Sequence, residues 1–270
     1  MDRRRTFIWA VCGVLAALVV GGCYKSVAHP VIVDTPQAEP VVHRIIVGTS
    51  VENRSIECLV VGQGRDVTFI LGAIHGDEPA GTPLVRQMAE YLARHPNLLQ
   101  GRKVVLLPVA NPDGMARNTR LNALGVDLNR NFSAANRTNN TLHGHTALSE
   151  PEARVIEQLI GQYAPDRIVS IHQLTQTGPE ALSSRLPNGC IDYDGPARAL
   201  ADRTAEYCDL PVEKLGARPG SLGSYAGLTL GIPIITLELP RYANRLNSEF
   251  LWQRYGQMLI AAVTYPARPK

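Results

Sequence analysis

Four side chains spread along this chain are of the types that hold a metal ion and use it: His75, Glu78, His172 and Glu238. His75 and Glu78 are three residues apart across a tight Gly-Asp turn, so an imidazole and a carboxylate there can reach one ion. Taken alone, such a pair is a weak signal and more often marks a solvated turn. A lone histidine after a buried strand is more often structural than a ligand, but His172 ends a strand as His75 does. Glu238 lies inside Ile232-Pro-Ile-Ile-Thr-Leu-Glu-Leu-Pro240, where a carboxylate must be paired, protonated or functional. Together, two His and one Glu make a catalytic zinc set, with three protein ligands and a fourth position left for water. The remaining carboxylate, Glu238, can take a proton from that water as general base. Residues 115–131 add Arg120, Asn122, Asp127, Asn129 and Arg130 in a stretch with too few apolar residues for a strand or amphipathic helix. That stretch reads as a loop bringing cations and donors to an oxyanion or a substrate carboxylate.

The elements that must position these groups follow from the apolar pattern. Asp66 to Leu71 is a short run rich in β-branched and aromatic residues, a buried strand, and it ends just before His75. From Pro79 to Ala93, Leu84, Val85, Met88 and Leu92 recur at helical spacing. His75 and Glu78 therefore sit between a strand end and a helix mouth, where open α/β sheets bind ligands. Further strands are predicted at Val41–Val47, Ile56–Val61, Lys103–Val109, Arg167–Ile171 and Ile232–Pro240. Asn111-Pro-Asp-Gly114 reads as a turn. Ser149-Glu-Pro-Glu152 reads as a capping box, with Ser149 as N-cap of a helix reaching about Tyr163. Helices are also predicted over Pro196–Cys208 and Asn247–Thr264, and Pro219–Gly227 is a small-residue segment. Ser133–Leu148 is a polar loop, and His143 and His145 within it read as solvated rather than as ligands. The expected fold is a single α/β domain over 43–267, a mixed, mostly parallel twisted sheet with helices on both faces.

Composition bounds the rest. The 270 residues are 45% hydrophobic and 19% charged, ordinary for a globular chain. Net charge is +3, of which Asp2 and Arg3 to Arg5 supply +2, so no nucleic-acid partner is expected. Residues 1–23 read as an export signal: Arg3-Arg-Arg5, an apolar core from Phe7 to Val20, then Val20-Gly-Gly-Cys23. The last four resemble a lipobox, which would place lipid on Cys23, and Arg4-Arg-Thr-Phe-Ile8 resembles a twin-arginine signal. Residues 24–42, with Pro30, Pro36 and Pro40, read as a tether. The expectation is an exported lipoprotein anchored to a membrane through lipid. Cys58, Cys190 and Cys208 remain; Cys190 could pair with Cys208 after export, or all three could be buried thiols.

The motifs His75-Gly-Asp-Glu78, Asn111-Pro-Asp-Gly114, Arg120 with Asn122, Asp127-Leu-Asn-Arg-Asn-Phe132, Ser170-Ile-His172 and Thr236-Leu-Glu-Leu239 occur in that order over residues 67–240. In this the chain resembles the zinc carboxypeptidase family. It is most like the murein peptide amidase branch, through Gly125-Val-Asp-Leu-Asn-Arg-Asn-Phe132, Ser149-Glu-Pro-Glu152 and Pro219-Gly-Ser-Leu-Gly-Ser224. The resemblance implies one zinc per chain bound by His75, Glu78 and His172, with Glu238 as base and proton shuttle. It implies that Arg120 polarises the scissile carbonyl and that Asn129 and Arg130 hold the substrate's terminal carboxylate. Asp127 would orient His75. The substrate would be a peptide with a free C-terminal carboxylate, most of all one bearing a γ-D-glutamyl–diaminopimelate bond. A zinc carboxypeptidase of other specificity, an N-acyl-amino-acid deacylase and a wall-peptide-binding lipoprotein without activity are the alternatives. The family's mobile tyrosine has no equivalent near Leu215-Gly216, Tyr225 comes too late for it, and Gln173 and Ser133 depart from the amidase pattern.

Overall fold

The computed structural model describes residues 41–174 and 182–266. Strands β1 (His43–Thr49), β2 (Ser55–Gly62), β3 (Asp66–Gly72), β4 (Arg102–Leu107), β5 (Arg167–Gln173), β6 (Cys190–Asp194) and β7 (Ile234–Leu239) form one sheet. Helices are α1 (Gly81–Arg94), α2 (Pro112–Arg117), α3 (Pro151–Tyr163), α4 (Leu182–Arg185), α5 (Arg198–Ala205) and α6 (Ser248–Thr264). The strand order is β1-β2-β4-β3-β5-β7-β6. The sheet is mixed, with parallel pairing in its centre (β4-β3-β5-β7) and antiparallel strands outside it.

Side chains alternate across a strand, so each central strand feeds two cores. Phe69, Leu71, Val105, Leu107, Ile168 and Ile234 pack against α3 through Ile156, Leu159 and Ile160. Ile70, Leu106, Val169, Ile171, Ile235 and Leu237 face the opposite way, onto α1, α5 and α6. Helix α1 buries Leu84, Val85, Met88 and Leu92, each contributing about 1.5–3 kcal/mol. Helices thus cover both faces and hold the central strand ends rigid.

Three local expectations are corrected. Asn111-Pro-Asp-Gly114 opens α2 instead of forming a free turn: the Asn111 side chain accepts from Gly114 N at 2.9 Å, and Pro112 takes the first helical position. At α3 there is no capping box. Glu150 is the N-cap residue without a side-chain cap bond, and Ser149 Oγ donates instead to Glu150 Oε1 at 2.7 Å. Glu152 reaches out of the helix, accepting from Val51 N at 3.2 Å and from Asn122 Nδ2 at 3.4 Å. The third correction is β6, an element the apolar pattern does not announce, because two of its five residues are aspartates.

Cys58, Cys190 and Cys208 are free thiols, and burial pushes Cys58 and Cys190 up to about 12. Cys23 and the rest of the export segment lie outside the described residues.

Candidate active site

His75 and Glu78 follow β3, and His172 is the penultimate residue of β5, the strand beside it. Glu238 is in register with His172 on β7, one strand further. The position of the turn bearing His75 is set by a close backbone approach: a Cβ on Gly76 would lie 1.9 Å from Gly114 C in α2. Only glycine fits there, and the Ala110 and Asn111 amides bond to Gly72 and Ala73 carbonyls beside it.

The three candidate ligands converge. His75 Nδ1 lies 2.9 Å from Glu78 Oε1, and His172 Nδ1 lies 2.8 Å from Glu78 Oε2. The two Nδ1 atoms are 3.2 Å apart, and all three groups are buried. Ligands about 2.1 Å from a tetrahedral zinc lie about 3.4 Å from one another, so these separations fit one ion. Among the described residues this is the one group of three such side chains with metal-ligand spacing. His143 does not join it, and bonds instead within its own loop to Thr138 and Asn140.

The charges around the cluster are balanced by its neighbours. Burial disfavours a charged His75, but Glu78 and Asp127 outweigh it and raise the imidazole to about 9. Burial likewise opposes ionised Glu78, yet His75 and His172 hold it far below the usual carboxylate range. Asp127 Oδ1 lies 3.2 Å from His75 Nε2, fixing the ring so that Nδ1 faces Glu78. The Asp127 carboxylate also accepts from Asn129 N at 3.0 Å. Despite burial, its contact with His75 and the charge of Arg120 keep it well below the usual range. Arg120 donates through Nε to Asp127 Oδ2 at 3.1 Å and through Nη1 to Glu78 Oε1 at 3.2 Å. It thus stands against the cluster, with its side chain 31% exposed to the cavity.

The cavity in front of these groups is about 920 Å³ and is lined by Glu238, Asn129 and Arg130 as well. Asn129 Oδ1 accepts from Leu222 N at 2.8 Å, which fixes the amide. Arg130 donates to the Asn129 carbonyl at 2.5 Å and makes no ion pair among the described residues. Burial, and then the nearby Arg120 and Arg218, lower its pKa against the pull of Asp127. Glu238 is pushed above the ordinary glutamate value, first by burial and then by the charge of Glu78. Tyr225 is not at the cavity; it stacks on Phe132 with ring centroids 6.0 Å apart.

Residues 32–178 match the zinc carboxypeptidase family. Murein peptide amidase A of Escherichia coli is 33% identical over 207 residues, covering 68% of this chain and 76% of that protein. The chain belongs to the zinc carboxypeptidase family. It is accordingly a zinc-dependent hydrolase with one zinc, and the His-Glu-His cluster fits that ion. The crystal structure of murein-tripeptide amidase from E. coli superposes with a TM-score of 0.63 at 25% identity, covering 87% of this chain and 98% of that one. Bovine thrombin-activatable fibrinolysis inhibitor shares the fold, with a TM-score of 0.65 at 18% identity over 83% of this chain and 88% of its own.

Sequence reasoning gave no site role to Ser170, which it met only as part of a motif, or to Asp192, Asp194, Lys214 and Arg218, although all but Lys214 line the cavity. The signal for two of them was the alternation Cys190, Asp192, Asp194, which puts three side chains of a short strand on one face.

Proposed function

We propose that this zinc hydrolase cleaves an amide bond next to a free C-terminal carboxylate, and that its substrate is the γ-D-glutamyl–diaminopimelate bond of murein peptides. One observation carries the reading: Arg130, a partly buried cation without an ion pair among the described residues, opens into the cavity beside the metal cluster. A partly desolvated guanidinium calls for an anion, and a carboxylate can take two of its N–H groups at once. Arg218 adds a second cation at that end of the cavity.

The parts then take these roles. His75, Glu78 and His172 would hold zinc, and the chemistry it would supply there is that of a Lewis acid toward water and a carbonyl oxygen. Glu238, with its raised pKa, takes the proton of the attacking water and delivers it to the departing amine. Arg120 donates to the oxygen of the scissile carbonyl as negative charge gathers there. Asn129 Nδ2 and Arg130 grip the terminal carboxylate and fix the bond in front of Glu238. Asp127 holds the tautomer of His75 and the guanidinium of Arg120 together. The similarity to murein peptide amidase A supports the substrate assignment. The export signal and Cys23 support a reading in which the enzyme is lipid-anchored where wall peptides are found.

The test is hydrolysis of free murein tripeptide, followed by release of diaminopimelate, with and without chelator. Amidating the terminal carboxylate should reduce kcat/KM by as much as Arg130→Ala does, about 2–5 kcal/mol of transition-state binding, and the two losses should not add. Equal cleavage of amidated and free peptides would remove Arg130 as the anchor and favour a deacylase.

A further inference from the structure

The cavity holds a cation that the roles given above leave unused. Arg185, the last residue of α4, lines it, is exposed, and makes no hydrogen bond or ion pair among the described residues. Its place in the fold is nonetheless fixed. The Leu186 amide closes a turn on the Leu182 carbonyl at 2.8 Å, and Leu186 packs with Leu174 and Cys190 in a small apolar cluster. Gly189 then returns the chain to the sheet at a φ of +89°, where a Cβ would collide with the Glu238 carbonyl oxygen. Only glycine combines that φ with so close an approach. The segment bearing Arg185 is therefore laid directly on the strand residue whose side chain is the proposed base.

The cations of the cavity fall into two groups, at opposite ends of β6. Cys190, at one end, is in register with Glu238, and the charge of Arg185 reaches its thiol. Asp194, at the other end, is where Gly223 packs. Gly223 belongs to the segment that carries Arg218, and Gly220 of that segment abuts the Arg130 carbonyl oxygen. Asn129 joins this second group through its bond to Leu222. Four residues of strand separate the two ends, about 13 Å. A peptide with its terminal carboxylate at Arg130 and its scissile bond at Glu238 thus carries its acyl residue onward, to the end where Arg185 stands.

We infer that Arg185 binds a carboxylate on the acyl side of the scissile amide. The inference rests on the proposed function for the direction in which the peptide lies. A γ-linkage leaves the α-carboxylate of the glutamyl residue free, several bonds from the scissile carbonyl, and a guanidinium offers it two parallel N–H donors. An uncharged acyl residue leaves Arg185 without a partner. Because Arg185 is exposed, water screens the contact and its share is modest. The carboxylate is charged before and after the bond breaks, so the contact acts on binding more than on the chemical step.

Calorimetric titration of the zinc-loaded protein with L-alanyl-D-glutamate and L-alanyl-D-isoglutamine, dipeptides alike but for amidation of the α-carboxylate, isolates the contact. The free acid should bind about 10-fold tighter, as expected for a hydrogen-bonded charge. Arg185→Gln should bring that ratio near one, Arg185→Lys should keep part of it, and Arg130→Ala should leave it unchanged. Arg185→Gln should also raise KM for murein tripeptide more than it lowers kcat, a split that a structural defect would not give. An unchanged ratio in Arg185→Gln, a ratio that collapses in Arg130→Ala instead, or wild type binding both dipeptides alike or neither would overturn the assignment. Murein tripeptide left intact by a protein that still separates the two dipeptides would defeat the proposed substrate and leave this site standing.

Discussion

At the scale of single residues, the site divides labour between charge held and charge moved. Glu78 and Asp127 are fixed anions, each engaged by several neighbouring side chains. Glu238 has no hydrogen-bonded partner of this kind among the described residues, and burial raises its pKa against the pull of His172. That difference supports the proposal that Glu78 is a ligand and Glu238 a proton carrier. Glu238→Gln should therefore retain stoichiometric zinc by metal analysis while kcat falls ~10²–10⁴-fold. Near-normal turnover in that variant would exclude Glu238 as the base.

At the scale of elements, the loop bearing Arg120 to Arg130 is irregular yet held from behind. Asn122 Nδ2 donates to Glu150 Oε2 at 2.6 Å, and its Oδ1 accepts from Leu124 N and Val126 N at 3.0 Å each. The start of α3 thus braces the loop that aims Arg120 and Asp127. Asp113 braces α2 in the same way. It accepts from Ser50 Oγ at 2.7 Å, Glu52 N at 2.9 Å and Arg54 Nη1 at 2.6 Å, tying the β1–β2 turn to the helix that abuts Gly76. Burial opposes its ionisation, but these donors lower its pKa. A lowered pKa gives stability that is present above the unfolded value of about 3.9 and lost as pH falls below it. Asp113→Asn should cost about 1–3 kcal/mol in urea unfolding at pH 7. That gap should hold down to about pH 5 and close below pH 4; a gap independent of pH would mean that the charge contributes nothing.

At the scale of the whole molecule, the two cores lie on either side of the sheet, and the cavity with its reactive groups lies at the carboxyl ends of β5 and β7 and the turn after β3. Among the described residues, no helix is long and apolar enough to cross a membrane. Attachment, if the export reading holds, rests on Cys23, where two acyl chains give stable anchoring. Cys23→Ser should shift the protein from the membrane to the soluble fraction on cell fractionation. Retention in the membrane would mean that residues 1–23 stay as an uncleaved anchor.

The sequence by itself determined which residues could do the chemistry. His75, Glu78, His172 and Glu238 are legible because each breaks or closes an apolar run at a strand end, where a polar group needs a reason to be. It also determined the strands of the central sheet, since buried parallel strands are near-continuous apolar runs. Local pattern misread the start of α3, because Ser149 and Glu152 have the types and spacing of a capping box. Their actual partners, Glu150 for Ser149 and Val51 and Asn122 for Glu152, include groups about 30 and 100 residues away in the chain. The same reason hid the far wall of the cavity. Asp192 reads as an ordinary surface aspartate until β6 pairs with β7 and sets it in line with Thr236 and Ser170. Strand register, which no short stretch of sequence encodes, decides that Asp194 pairs with Lys214 while Asp192 is held by the Tyr193 and Leu215 amides.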